Sequence, residues 1–272
     1  MTDALRGLDH ALIAVADLEA ARADWQRLGF RPTPRGRHQG RSTGNHCLML
    51  PADYLELVGI VDSAGPPSRL SGLLQRRGQG LIGAALAPSD DAAAFAWATE
   101  AGLSPQPPVA FGRLLETPEG TLHPRFSLIE LPAETVPDFR LFFCRHLTAD
   151  LLRRPAWLGH PNTARRIAEL AIVTADPERL ARPLGRLFGG AQWRDGILWV
   201  SAGDARLGFG TAEALAGPMG SGANGLLALE VADLDMAERQ LEATGIAYRR
   251  GAGNALCVGP AFATGVALEF RG

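Results

Sequence analysis

The chain has 272 residues, 46% of them hydrophobic and 21% charged, which is enough for two ordinary domains with sizeable cores. Its 27 basic and 29 acidic side chains leave a formal charge of −2, and aromatics are only 7%, so neither a phosphate backbone nor stacked bases would find a partner surface and no nucleic-acid partner is expected. Every basic residue is arginine, and without lysine there is no imine catalysis, no pyridoxal phosphate anchor and no Walker A loop.

Residues 8–18, LDHALIAVADL, alternate and predict a short strand ending near Asp17. Asp17 is a good N-cap for the helix that follows over 18–30, where Leu18, Ala21, Trp25 and Leu28 share a face and Gly29 stands where the helix should close. GNHCLML (44–50) and DYLELVGI (53–60) read as strands, and PPSRLSGLLQRRGQG (66–80) as a link. Residues 80–103 repeat the strand–helix pattern more weakly, followed by strands RFSLIEL (125–131) and DFRLFFCRH (138–146). The segment 147–166 connects two halves through a surface helix and turn, with His160-Pro161-Asn162 holding the connection together. Strand–helix text recurs at 167–189, with Pro177 at the first helical position, and at 225–246, with Asp233 as the cap. Strands at 196–202, 205–211, 255–260 and 265–270 complete the series. The repeat is β-α-β-β-β, used four times, and one such unit leaves a sheet face bare, so the units should pair and curve around a shared cavity.

Cys47, Cys144 and Cys257 are odd in number and have no CxxC spacing, which argues against a disulfide framework or a thiolate zinc site. The apolar stretch near the N-terminus is too short and interrupted for a signal peptide, and no run of about 18 apolar residues predicts a membrane span. A cytoplasmic location with no membrane partner is the expectation.

Leu55 and Leu57 on one face of a strand would turn Glu56 toward the other, the cavity face, where a buried carboxylate requires a partner. His38, Asn45 and His46 lie around a loop entering a strand. They suit substrate hydrogen bonding or general acid–base work, His38 or His46 shuttling a proton, although glycines 36, 40 and 44 also allow ordinary turn chemistry there. His46 and Cys47 are adjacent on a strand and point to opposite faces, so they do not form a dyad. LGFGTAEALAG (207–217) lacks dinucleotide-binding spacing.

Paired units opening with DH…VxDL…A…LGF and closing with YLEL resemble the vicinal oxygen chelate superfamily, which includes glyoxalase, bleomycin resistance and extradiol dioxygenase-like proteins. GRHQGRSTGNHCLMLPADYLELVGI (36–60) and LFFCRHLTADLLRRPAWLGHPN (141–162) are similar to blocks of its glyoxalase-like domain proteins. The resemblance implies an α+β fold in which four βαβββ modules pair into two glyoxalase-like half-barrel domains, residues 1–150 carrying the active site and 151–272 a degenerate one. It implies a divalent metal, Fe, Mn, Ni or Zn, held by His10, Glu56 and His146, the last able instead simply to cap its strand. Unit two departs from the pattern, because no ligand stands near Ile82 and Gly83. Depending on register, its closing strand offers His146 or Arg145; Arg145, Glu130 and Asn45 are substrate-binding candidates, Glu130 having a surface or pairing role as its alternative. In the second half Glu169 and Leu226 stand opposite His10, Glu269 matches Glu56, and Gly208 fills the remaining carboxylate slot. All six histidines precede residue 161, which favours an active first half. The implied activity is that of an isomerase, lyase or dioxygenase whose metal chelates neighbouring oxygens of a small molecule. The alternative is a metal-free protein of the same fold that sequesters a small ligand, and a homodimer is an allowed assembly.

Overall fold

The computed structural model describes residues 4–137, 139–220 and 222–272. Residues 1–3 of the expected N-terminal domain, and Asp138 at the start of the expected 138–146 strand, lie outside the described residues. Four β-α-β-β-β units follow one another. The first is β1 (Leu5–Ala14), α1 (Leu18–Arg27), β2 (Gly36–His38), β3 (Thr43–Met49) and β4 (Tyr54–Ile60). After α2 (Arg69–Arg77), the second is β5 (Gly80–Pro88), α3 (Asp91–Glu100), β6 (Val109–Thr117) with its hairpin partner β7 (Gly120–Leu122), β8 (Arg125–Glu130) and β9 (Arg140–His146). A connection with the one-turn α4 (Pro155–Leu158) leads to the third unit, β10 (Ala164–Val173), α5 (Pro177–Phe188), β11 (Gln192–Arg194), β12 (Ile197–Ala202) and β13 (Ala205–Gly210). Following α6 (Ala212–Met219), the fourth is β14 (Leu226–Val231), α7 (Leu234–Ala243), β15 (Tyr248–Arg250), β16 (Leu256–Val258) and β17 (Ala267–Arg271).

The helices start where the sequence supplies an acceptor for their free amides. Asp17 caps α1 through the amides of Glu19 and Ala20, and Asp233 caps α7 through that of Met236. The 66–80 link contains a helix the expectation lacked. Ser68 caps it, Gly78 ends it at φ 71°, and Leu70, Leu73 and Leu74 form one apolar face that packs into the barrel.

The first nine strands run in the order β2-β3-β4-β1-β5-β9-β8-β6-β7. Three residues of β2 also pair with β6 (Gly36↔Leu115, Arg37↔Leu114, His38↔Arg113), which closes the sheet into a barrel. The remaining eight strands form a second sheet, β11-β12-β13-β10-β14-β17-β16-β15. The closed barrel is lined by its own apolar cluster, including Leu12, Met49, Tyr54, Phe126, Leu128 and Phe142, whereas a larger core outside it joins both sheets through the helices. No helix among the described residues is long and apolar enough to cross a membrane.

His160 ties the connecting segment to the first sheet, with Nδ1 accepting from the Arg31 amide and Nε2 lying 2.9 Å from the Met49 carbonyl. Asp53, just before β4, accepts from the Ile167 amide at 2.9 and 3.1 Å and so joins the two sheets. Burial pushes its carboxyl up from 3.8 to about 7, against the pull of that amide and of Arg153. Between these values the folded chain holds a proton that the unfolded chain has released, so this group's contribution to stability falls as pH rises through that window. Asparagine keeps an acceptor oxygen without the charge. Asp53→Asn is therefore expected to exceed the parent in stability by a few kcal/mol at about pH 8, since each tenfold change in proton affinity is worth roughly 1.4 kcal/mol. Urea midpoints at about pH 4, 6 and 8 check this, the gap widening with pH; a gap independent of pH would count against it.

Candidate functional site

The barrel encloses a cavity of about 1260 Å³. Alternation on β4 turns Glu56 inward between Tyr54 and Val58, while Leu55 and Leu57 face the outer core. On β1 the pairing with β5 slips between Leu8 and His10, and this irregularity brings Asp9 beside His10. His10 Nδ1 donates to Asp9 Oδ2 at 2.6 Å, and His10 Nε2 lies 3.4 Å from Glu56 Oε2. The imidazole stacks on Tyr54 at 4.4 Å between ring centres and meets the edge of Phe142 at 5.7 Å.

His38, at the end of β2, approaches the same carboxylate from the other side, its Nε2 lying 3.3 Å from Glu56 Oε1. Asn45 Nδ2 donates to Glu56 Oε1 at 2.6 Å and lies 3.2 Å from His38 Nε2. His38 Nδ1 lies 2.8 Å from Thr43 Oγ1. In the tautomer where Nδ1 donates to Thr43, the single Nε2 lone pair faces the Asn45 amide, so it is free for an ion or a proton only when that amide turns to Glu56 alone. Asn45 Oδ1 is buried with no partner.

His146 does not meet Glu56, as the expected ligand set required. Its Nε2 donates to Asp9 Oδ2 at 3.1 Å. Imidazoles and carboxylates thus alternate in one buried series, His146, Asp9, His10, Glu56 and His38. Burial alone would raise both acids. Charge from His146 and bonds from both its imidazoles hold Asp9 well below the usual range, and bonds from His10 and His38 do the same for Glu56. Burial also disfavours charge on His10, but bonds from Asp9 and Glu56 raise it above its ordinary value. Ligand atoms of Asp9, Cys144 and His146 lie within 4.8 Å of one another, a further group with metal-binding geometry. Burial keeps the Cys144 thiol well above its ordinary range, which works against its use as a thiolate ligand.

Three other expected residues lie apart from this series. His46 alternates with Asn45 and Cys47 and therefore faces out of the barrel, where Nδ1 meets the Thr33 carbonyl at 2.8 Å and Nε2 lies 3.4 Å from Glu19 on α1. That position corrects the expected proton-shuttling role, because His46 is not among the residues that line the cavity and both ring nitrogens face groups outside it. Arg145, expected to bind substrate, is likewise turned outward and forms a two-bond pair with Asp91 on α3 at 2.7 and 2.8 Å. Glu130 lines the cavity, but Arg140, stacked on Phe142, holds it. Asp9 and Arg113 were missed. Arg113 is buried on the lining directly across from His38, and its strand β6 was not expected.

The second sheet carries no equivalent. Glu169 is clamped by Arg206 and Arg271, and Glu269 by Arg271. A side chain on Gly208 would meet the Trp199 indole at 2.8 Å, so that ring occupies the space of the remaining slot.

The sequence matches the profile of the glyoxalase-like domain over residues 8–188. No curated protein matches it. Among solved structures, a hypothetical protein from Staphylococcus aureus superposes with a TM-score of 0.67 at 12% identity, covering 97% of this chain and 98% of that one. A mutant of 4-hydroxymandelate synthase from Streptomyces coelicolor gives 0.66 at 14% identity, over 98% and 92%. A xylose isomerase-like TIM barrel/4-hydroxyphenylpyruvate dioxygenase fusion protein gives 0.59 at 17% identity, over 98% of this chain and 49% of the fusion. At these identities the structural likeness concerns the fold, but the profile spans most of the chain, which belongs to the glyoxalase-like domain family.

Proposed function

We propose that the closed barrel is the active site of an enzyme acting on a small molecule, and that His10, His38 and Glu56 hold a divalent ion there. The observation that carries this reading is the placing of two imidazole Nε2 atoms 3.3 and 3.4 Å from one buried carboxylate. Donors that each sit about 2.1 Å from a common ion are separated by roughly 3.0–3.4 Å, so each nitrogen–oxygen spacing suits neighbouring ligands, and an ion would draw the two imidazoles, which flank opposite oxygens of Glu56, toward each other. Both rings are held at Nδ1, His10 by Asp9 and His38 by Thr43, as orienting partners of metal ligands usually are. Two imidazoles and a carboxylate suit Fe(II), Mn(II), Ni(II) or Zn(II). A bound ion would supply Lewis-acid stabilisation to negative charge developing on substrate oxygens, in the manner common to isomerases, lyases and dioxygenases of this fold. Asn45 fixes the orientation of Glu56.

A metal-free binding protein is the second reading, favoured by unit two. The pairing of Ala11 with Ala84 carries His10 onto Gly83 and, through β9, Glu56 onto Phe142, neither of which is a ligand. Protein purified without a chelator or a histidine tag is expected to hold close to stoichiometric metal, lost in His10→Ala and in Glu56→Ala. Trace metal in the parent, unchanged by these substitutions, would leave the metal-free reading standing.

A further inference from the structure

Arg113 is 3% exposed, yet two of its donors have no partner. Its Nη1 donates to Cys47 Sγ at 3.1 Å, and that thiol is not an anion, because burial pushes it up to about 11. The unpartnered atoms are Nε and Nη2. These form the side-on fork of the guanidinium, two parallel N–H groups whose spacing matches the oxygens of a carboxylate. The guanidinium lines the barrel cavity, lies 5.8 Å from the Phe126 ring centre and sits across the β2–β6 pairing from His38. A buried cation with an empty fork is costly to a fold and is normally paired.

We propose that Arg113 is a substrate-binding residue that receives the carboxylate of a small, largely apolar or aromatic acid inside the barrel. The inference rests on the barrel being the substrate site. Both fork atoms are covered in this structure, so the guanidinium turns toward the cavity to fix one end of the molecule, while Phe111, Phe126, Leu128 and Phe142 supply an apolar wall for its body and His38, paired with Arg113 across β2 and β6, lies beside the anchored end. Lining arginines 41, 69, 76, 113 and 140 outnumber glutamates 56, 130 and 134, which favours entry of an anion.

The test uses EDTA-treated full-length protein titrated with phenylacetate, phenylacetamide and phenyl phosphate, binding being read from thermal shifts and calorimetry. Phenylacetate is expected to bind about 10- to 100-fold more tightly than its amide, the difference made by a charged hydrogen-bonded pair. Arg113→Gln should reduce phenylacetate to the level of the amide. Arg113→Met should melt at a higher temperature than the ligand-free parent, since it removes an uncompensated buried charge. Equal binding of acid and amide, unchanged phenylacetate affinity in Arg113→Gln, or no stabilisation by either anion would overturn the proposal. So would an Arg113→Met protein that fails to fold, and tighter binding of phenyl phosphate than of phenylacetate would overturn the carboxylate assignment. Because the titration is done without metal, a protein with no native ion still answers it. Conversely, a protein with stoichiometric metal and no carboxylate preference would sink this proposal alone.

Discussion

Asp9→Ala is expected to cost about 3–5 kcal/mol of stability, more than any other single change in the barrel's polar interior. Asp9 is 7% exposed and takes hydrogen bonds from both His10 Nδ1 and His146 Nε2. Removing it strands two imidazole donors in an apolar surround, and His146 Nδ1 already lacks a partner. The folded-state acidity of Asp9 is strengthened, so its contribution is fully present above the usual value near 3.8 and is lost as pH falls below it. The deficit of Asp9→Asn relative to the parent should accordingly shrink in acid. Urea unfolding at neutral pH and near about pH 3 measures both effects. A loss under about 1 kcal/mol would mean that the series is not held together through this carboxylate. The same change releases His10 from its orienting bond, so metal affinity should fall by about 10- to 100-fold if His10 is a ligand.

Asp9 also marks where sequence reading stops. Strict alternation on β1 would set Asp9 and His10 on opposite faces, and only the slipped pairing with β5 brings them together. Nothing in LDHALIA announces that slip. The inward direction of Glu56 was legible, because Leu55 and Leu57 flank it and the strand is regular. By the same rule His46 faces outward once Asn45 faces inward, but nothing local in GNHCLML says which of the two points into the cavity. The direction of His146 depends on its pairing with Phe126, a long-range register that local pattern does not contain. Arg113 was hidden further still. Its strand VAFGRLLET mixes a glycine and polar residues, and it becomes a barrel wall only by pairing with the three residues of β2, too short a segment to recognise alone. The four-unit repeat, by contrast, was legible because each unit restates the same strand, Asp cap and helix, and caps are local chemistry. The helix α2, in the segment expected only as a link, carries the same kind of local signals in Ser68 and Gly78.

Trp25→Ala should lower stability by about 3–5 kcal/mol and, more tellingly, weaken the coupling between the two sheets. Trp25 sits on α1 in the first unit with no exposed surface, and its indole Nε1 donates to Thr264 Oγ1 in the fourth unit at 3.0 Å. It packs on Phe30, which in turn faces Phe270 of β17. Nearby, Arg27 donates to the Thr244 carbonyl, and Gln240 and Thr244 return bonds to the Arg27 carbonyl. One apolar core thus runs between the sheets and includes residues of both. We therefore propose that the division near residue 150 separates two sheets but not two folding units. In the parent, far-ultraviolet circular dichroism and tryptophan fluorescence should report one coincident urea transition. Trp25→Phe keeps most of the buried ring but leaves the Thr264 hydroxyl without its donor, so it should cost about 1–3 kcal/mol and preserve the single transition. Trp25→Ala opens a cavity at the junction, and the two probes should then separate as the sheets unfold with different midpoints. Two transitions already present in the parent would show that the shared core does not make the halves interdependent, and the site in the first barrel could then be studied as an independent domain.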